Sequence, residues 1–334
     1  MPASVWIVWG RSATVVCWAA VAPVIVWAGV RLTGWERGHA VQLLAFTPYV
    51  AGLSLVPVAL ALALRRWVAA AVAVLTTLVL VAVVAPRAVA DDTPAGGPTL
   101  RVMTVNTLGG QAHPGDIVRL VRDLRVDVLS VQELYPGVVE GLSIAGIDGE
   151  LPYHQVYGAE AGLFSRLPLE NTGVHRNPDG FLQAYGTVLT PGAPPVLLEA
   201  VHSCSPYSLR QTSCWRRDLS AQPPATPDGP LRILAGDFNA TLDHALLRRL
   251  LATGYVDAAD RAGEGLVGTW GPYDGDRIPP VVIDHVLVDR RIGVRGVSVH
   301  AVAGSDHRAV VAELSLPAAQ IGAKPVSPSS TGRR

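Results

Sequence analysis

The sequence predicts an α/β sandwich domain preceded by an N-terminal bundle of about three transmembrane helices. Residues 1–90 hold three long apolar runs, whereas the rest of the chain alternates strand-like apolar runs with amphipathic helical ones. In this second part, polar residues recur at the ends of the strand-like runs, where loops held by a rigid sheet usually place functional groups.

The three apolar runs lie at residues 12–30, 40–64 and 67–85. Each has about the length that a helix needs to cross a bilayer, roughly 20 residues. A signal peptide would show one short run with a small-residue cleavage site, and a buried core hairpin rarely contains runs this long. The pattern therefore predicts a multi-pass membrane region over residues 1–90.

Composition and charge define the remaining segments. We expect residues 91–98 to form a linker, residues 99–316 a folded domain and residues 317–334 a disordered tail. Residues 1–90 hold six of the 27 basic and one of the 27 acidic residues, which leaves 21 basic and 26 acidic residues for 91–334. A domain that grips long duplex DNA is expected to be basic, so this balance argues against a general nuclease.

Two cysteines bear on the orientation in the membrane. With the N-terminus inside, three arginines fall on each side, so the positive-inside rule does not decide. Cys204 and Cys214 form a close pair, and such pairs in exported domains commonly form disulfides, which favours an extracellular domain. The alternatives are two free thiols, or a zinc site with His202 that lacks a fourth ligand.

Strand-like and helix-like runs alternate in the second part. A strand at 99–105, a helix at 114–125 and a strand at 126–131 come first. Helices are predicted at 211–219 and 243–251, and the later strands are predicted at 183–189, 196–201, 231–235, 281–288 and 309–314.

Six short segments stand at or near these strand ends: TVN at 104–106, VQE at 131–133, AVH at 200–202, GDFNA at 236–240, IDH at 283–285 and GSDH at 304–307. In this order and spacing they resemble the endonuclease/exonuclease/phosphatase family, over about residues 99–315. Each segment alone is a weak signal, but all six in order are specific. The resemblance implies a four-layer α/β sandwich and a metal-dependent phosphohydrolase.

Three of these residues suit a hard divalent cation. Mg²⁺ prefers carboxylate and amide oxygens, so Glu133, Asn106 and Asp306 are the expected ligands for Mg²⁺ or Mn²⁺. Each of them alone could be an ordinary strand-end, turn or capping residue. The set as a whole is harder to explain without a site.

The other five residues suit phosphoester chemistry. His307 is the expected general base, because an imidazole exchanges a proton near neutral pH, and the resemblance assigns Asp284 to orient it. Asp237 is expected to position the water or the leaving group, Asn239 to hydrogen-bond the phosphate, and His202 to donate to a non-bridging oxygen. A lone buried histidine, by contrast, is more often a core residue.

The sequence thus predicts hydrolysis of a phosphodiester or phosphomonoester at the outer membrane surface. A lipid headgroup and a nucleic acid are both compatible substrates, the bilayer is the expected partner, and no feature requires an obligate protein partner. Arg210, Arg216 and Arg217 form a basic cluster, either a solvated face or a phosphate-binding group. The alternatives are an extracellular nuclease and an inactive, membrane-anchored binding module.

Overall fold

The computed structural model describes residues 3–91, 96–158, 160–271 and 278–319. Within them, a set of N-terminal helices is followed by two six-stranded sheets. Residues 92–95 of the expected linker and residues 320–334 of the expected tail lie outside the described residues.

The N-terminal region contains the three expected apolar segments. Among the described residues, Arg11–Thr33, Ala40–Ala63 and Trp67–Ala88 are long and apolar enough to cross a membrane. Their helices are α1 (Ala3–Thr33), α2 (Ala40–Leu43), α3 (Thr47–Leu53), α4 (Leu55–Ala63) and α5 (Trp67–Val84). Many large apolar side chains on these helices are exposed. Contiguous exposed apolar surface marks a protein–protein or membrane interaction site.

The second apolar segment is not one continuous helix. A 3₁₀ turn at Leu44–Phe46 separates α2 from α3, and Ser54 separates α3 from α4. Pro48 lies in the first turn of α3, and Pro57 lies near the start of α4. Proline lacks an N–H group and fits best in the first turn of a helix, so Pro48 and Pro57 favour these divisions.

The remaining strands and helices form the folded domain. The strands are β1 (Thr99–Asn106), β2 (Val128–Gln132), β3 (Tyr153–Tyr157), β4 (Ala161–Ser165), β5 (Leu169–Arg176), β6 (Leu182–Val188), β7 (Val196–His202), β8 (Leu231–Asp237), β9 (Tyr255–Asp257), β10 (Asp284–Asp289), β11 (Gly293–Ala301) and β12 (Arg308–Ser315). The helices are α6 (Pro114–Asp123), α7 (Pro136–Ile144), α8 (Ile147–Glu150), α9 (Thr212–Ala221), α10 (Ala245–Ala252) and α11 (Ala258–Arg261).

The strands form two sheets, in the orders β11-β12-β1-β2-β4-β3 and β5-β6-β7-β8-β10-β9. β1 pairs with β2, and β7 with β8, in parallel; the other pairings are antiparallel. Side chains alternate between the faces of a strand, so Leu100 and Val102 of β1 face the second sheet while Met103 and Val105 face the helices.

Three apolar clusters separate the layers of the domain. One lies between the sheets, one joins the first sheet to α6, α7 and α8, and one joins the second sheet to α9 and α10. Helix, sheet, sheet and helix thus make four layers, which confirms the predicted sandwich. Helix α6 ends two residues before the predicted boundary, and Arg125 beyond it adopts a left-handed φ of 52°.

A buried ion cluster joins the N-terminal helices to the domain. Asp243 accepts hydrogen bonds from Arg31 at 2.7 Å and from both terminal nitrogens of Arg87 at 2.7 and 2.8 Å. The Asp243 side chain is fully buried, and the two arginine side chains are 9% and 7% exposed. Val41 of α2 also packs into the apolar cluster beneath α9 and α10. The apolar helices therefore lie directly against the domain.

Candidate active site

The eight predicted site residues converge at one edge of the two sheets. The parallel strands β1, β2, β7 and β8 end there, and the antiparallel strands β10 and β12 begin there. All eight residues lie in these strand ends or close beside them: Asn106, Glu133, His202, Asp237, Asn239, Asp284, Asp306 and His307.

Asn106 connects the two sheets at this edge. Its amide nitrogen donates to Glu133 Oε1 at 3.0 Å and to Asp237 Oδ2 at 3.1 Å. Its amide oxygen accepts from the backbone N–H of Leu108 at 2.9 Å. One buried side chain therefore fixes the relative positions of two carboxylates that belong to different sheets.

Two of the predicted residues have a left-handed backbone. Glu133 has a φ of 54° and Asn239 a φ of 50°. This conformation costs free energy for residues other than glycine and tends to persist at functional sites, where the surroundings enforce it. At Glu133, the backbone N–H of Gly109 donates to Oε2 at 2.5 Å and the Thr107 hydroxyl donates to the backbone carbonyl at 2.7 Å.

Asp237 and Asn239 form a tight local unit. The backbone N–H of Asn239 donates to Asp237 Oδ1 at 2.8 Å, and its side-chain amide donates to Asp237 Oδ2 at 3.0 Å and to the Ser203 carbonyl at 3.0 Å. Burial, with a further contribution from Asp284, raises the pKa of Asp237 to about 7 against the opposing effect of His307. Both amide hydrogens of Asn239 are thus used within the protein.

His307 and Asp284 form a buried pair. The Nδ1 atom of His307 lies 2.9 and 3.0 Å from the two Asp284 oxygens, so the protonated nitrogen donates to this carboxylate. The Nε2 atom lies 3.9 Å from Asp237 Oδ2 and 4.0 Å from Asp306 Oδ1. Burial lowers the pKa of His307, but these three carboxylates outweigh it and raise the pKa to about 10. The ring is therefore more basic than the near-neutral value expected from the sequence.

His202 lies beside Glu133. Its Nε2 atom is 3.6 Å from Glu133 Oε1, and its ring meets the edge of Phe181 with centroids 5.1 Å apart. Burial is the main reason that the pKa of His202 falls to about 4, although Glu133 opposes the shift. A neutral imidazole at this position can donate one hydrogen bond without carrying a charge.

Asp306 supplies an oxygen suited to a cation. Its Oδ2 atom accepts from the indole N–H of Trp270 at 2.6 Å. Its Oδ1 atom is buried and has no hydrogen-bond partner among the described residues. Burying an unpaired carboxylate oxygen is costly, and a metal ion would satisfy it. Glu133, Asn106 and Asp306 therefore form a donor set that fits a hard divalent cation.

A second group of possible metal ligands lies beside the first. Single ligand atoms of Asp237, Asp284 and His307 all lie within 4.8 Å of one another. Asp284 is already paired with the His307 ring, and both Asp237 oxygens accept from Asn106 or Asn239. The acidic cluster as a whole can hold a metal ion, and Asp306 has the oxygen without a protein partner.

One pocket contains these residues. It has a volume of about 1450 Å³ and is bordered by six of the eight: Glu133, His202, Asp237, Asn239, Asp306 and His307. Arg210 and Arg217 also border it. Arg217 is bound to Asp179 by two hydrogen bonds at 2.8 and 2.5 Å, whereas Arg210 is exposed. Of the basic cluster seen in the sequence, Arg210 and Arg217 thus reach the pocket.

The sequence-predicted disulfide forms one wall of the pocket. Cys204 and Cys214 are bridged, with their Cα atoms 5.8 Å apart. Both sulfurs are used in this bond, so the alternatives of free thiols and of a zinc site with His202 do not apply. The backbone N–H of Cys204 donates to Asp218 at 3.0 Å, which ties the start of the loop to α9.

The model of the Endonuclease/Exonuclease/phosphatase family matches residues 103–307, more than half of the 334-residue chain. The chain belongs to this family. The match confirms the resemblance predicted from the six segments, all of which fall within its bounds, from Thr104 to His307. Among curated proteins, none matches the chain in sequence.

Solved structures of low sequence identity share the fold. SmcL matches with a TM-score of 0.53 and 15% identity over 65% of this chain and 99% of its own. A humanized D. rerio TDP2 with 14 mutations matches with a TM-score of 0.52 and 15% identity, over 65% of this chain and 98% of its own. The endonuclease/exonuclease/phosphatase from Beutenbergia cavernae matches with a TM-score of 0.51 and 19% identity, over 66% of this chain and 72% of its own. At these identities the likeness concerns the fold alone.

Two residues of this endonuclease/exonuclease/phosphatase site had no role in the sequence prediction. Trp270 holds Asp306, and Ser305 donates to the Asn106 carbonyl at 2.7 Å while accepting from the backbone N–H of His307 at 3.0 Å. Ser305 lies in the segment GSDH at 304–307, whereas Trp270 lies outside the six segments. The contacts of both residues depend on the folded chain.

Proposed function

We propose that this protein is a divalent-metal-dependent hydrolase that cleaves a phosphodiester or phosphomonoester at a membrane surface. The observation that carries the proposal is the geometry around Asp306, whose unpaired buried oxygen lies 4.0 Å from the proton-bearing ring of His307. A cation site beside a carboxylate-oriented imidazole is what phosphoester hydrolysis requires.

Glu133, Asn106 and Asp306 would hold Mg²⁺ or Mn²⁺. When bound, the cation would neutralise phosphate charge and favour deprotonation of water. His307, oriented by Asp284, moves a proton at Nε2, and Asp237 positions the water or the leaving oxygen. His202 donates to a non-bridging oxygen. Asn239 has no amide hydrogen left for the phosphate, so we assign it to holding Asp237 in place.

The arrangement in the membrane is part of the proposal. Residues 1–90 would cross the bilayer as three helices, and residues 99–316 would form the catalytic domain outside the cell, where a Cys204–Cys214 disulfide is stable. Protease added to intact cells should then degrade the domain. Protection of the domain until the cells are permeabilised would contradict this orientation.

The activity test uses the full chain in detergent. With Mg²⁺, the protein should hydrolyse bis-p-nitrophenyl phosphate or p-nitrophenyl phosphate, and EDTA or Glu133→Gln should abolish turnover. The Asp116→Asn variant, altered at an exposed ion pair on α6, is the control and should remain active. Substantial activity in EDTA would refute the metal assignment, and a folded but inactive protein would favour a binding module. Cleavage of plasmid DNA alone would favour the nuclease.

A further inference from the structure

One wall of the active-site pocket belongs to an apolar, membrane-length segment. Val41, Gln42, Ala45 and Phe46, here called the span wall, border the same pocket as Glu133, His202 and His307. They lie at the start of Ala40–Ala63, one of the three segments that are long and apolar enough to cross a membrane. The reacting centre and this apolar segment therefore share one cavity.

Three hydrogen bonds fix the span wall and the helix that follows it to the catalytic domain. Gln42 donates to the Pro206 carbonyl in the disulfide loop at 2.9 Å. The ring of His244 lies 2.6 Å from the Val41 carbonyl. Tyr49, one helical turn beyond Phe46, donates to the Pro280 carbonyl at 2.6 Å. These contacts hold the segment in place as an integral part of the pocket wall.

The pocket lining combines two kinds of side chain. One kind is the carboxylates and imidazoles of the site, and the other kind is apolar. Val41, Ala45 and Phe46 are apolar, and Val281 and Ile283 add apolar lining from the segment that leads into β10. The volume of about 1450 Å³ exceeds the roughly 300–1,000 Å³ typical of small-molecule sites and far exceeds the need of one phosphate group.

The position of the span wall also indicates where its occupant comes from. A segment that enters the bilayer at Ala40 places residues 41–46 near the membrane–water boundary, where the apolar chains of lipids begin. A water-soluble ester or a nucleic acid has no apolar part that would require this wall. An amphipathic phosphoester has both a phosphate group and an apolar chain, which match the polar and the apolar lining of the pocket.

We propose that the substrate is a lipid phosphoester, whose phosphate lies between Glu133, Asp306 and His307 and whose apolar chain lies along the span wall. This inference rests on the proposed phosphoester hydrolase function and narrows it to one substrate class. Burial of the chain contributes binding free energy that a short ester lacks, so specificity is expected to depend on chain length.

The test uses alkyl p-nitrophenyl phosphates with methyl, butyl, hexyl and octyl chains, below their micellar concentrations, and the full-length protein in nanodiscs. Every member releases the same p-nitrophenolate, so only the chain changes. Each methylene buried against the span wall should raise kcat/KM by about fourfold, equivalent to about 0.8 kcal/mol. The variant Ala45→Phe places a bulky side chain in the pocket at the span wall. It should lower the octyl-to-methyl ratio of kcat/KM at least about tenfold.

Ala59→Phe is the matched control, because Ala59 is exposed on the same segment and does not border the pocket. It should leave the octyl-to-methyl ratio as in the wild type. A flat wild-type series with Mg²⁺-dependent turnover, or equal ratios in both variants, would refute the lipid inference and leave the hydrolase proposal standing. Absence of Mg²⁺-dependent turnover on every diester of the series and on p-nitrophenyl phosphate would refute both. The wild-type series decides the question even where Ala45→Phe fails to fold.

Discussion

Removing the charge of Asp243 should destabilise the protein strongly. Its Oδ1 atom accepts from both Arg31 and Arg87, and its Oδ2 atom accepts from Arg87, at 2.7 to 2.8 Å. In Asp243→Asn one carboxylate oxygen becomes an NH₂ group, which faces a guanidinium and cannot accept from it. Two almost fully buried arginines then lose their counter-charge.

The magnitude follows from this burial. Breaking a buried ion pair by removing one partner costs about 3–5 kcal/mol, because the remaining charge stays buried. For domains of about 150–250 residues each kcal/mol lowers Tm by roughly 2–4 °C, so a decrease of about 6–20 °C is expected. Thermal unfolding of the detergent-solubilised full chain, followed by tryptophan fluorescence, measures it.

The matched control is Asp116→Asn, which breaks an ion pair with Arg119. The side chain of Arg119 is 61% exposed and that of Asp116 is 28% exposed. Exposed pairs contribute about 0–1 kcal/mol, so its Tm should stay close to the wild-type value. If Asp243→Asn shifted Tm no more than this control, the buried cluster would not stabilise the contact between the apolar helices and the domain.

Three further outcomes concern pH, the His307–Asp284 pair and the metal. Burial raises the pKa of Asp243, but the hydrogen bonds and charges of Arg87 and Arg31 outweigh it and lower the pKa below its ordinary value. Such a group adds stability above its unfolded pKa of about 3.9 and loses it as pH falls through the folded value. The Tm difference between wild type and Asp243→Asn should therefore be constant near neutrality and shrink below about pH 4; a difference unchanged down to about pH 2 would contradict this assignment. His307→Ala and Asp284→Ala should each lower kcat by roughly 10²–10⁴-fold. The double variant should lose little more than the worse single variant, whereas multiplied losses in steady-state kinetics would separate the two roles. Mg²⁺ at about 100 times its Kd should add about 2.7 kcal/mol of stability to the wild type, and an equal thermal shift in Glu133→Gln would exclude Glu133 as a ligand.

Much of the core of the fold could be predicted because its signals are local. Strands such as β2 and β8 are almost wholly buried and read as continuous apolar runs. The prediction omitted β3, β4, β5, β9 and β11. Most residues of β3 and β5 are exposed or half-buried, so these strands carry little apolar alternation. β9 has only three residues, whereas β4 is fully buried but short. The site was visible for the same local reason, since its residues follow or precede buried strands in short recognisable segments.

By itself, the sequence determined the family, the three apolar segments and the eight residues at the strand ends, because residues close together in the sequence indicate each of them. Only the tertiary structure decided that Asp243 binds Arg31 and Arg87 and that Val41 and Phe46 border the active site. Asp243 is separated by 212 and 156 positions from its two partners. No local periodicity encodes contacts at such separations; they arise where packed layers bring distant segments together and exclude water from the charges between them.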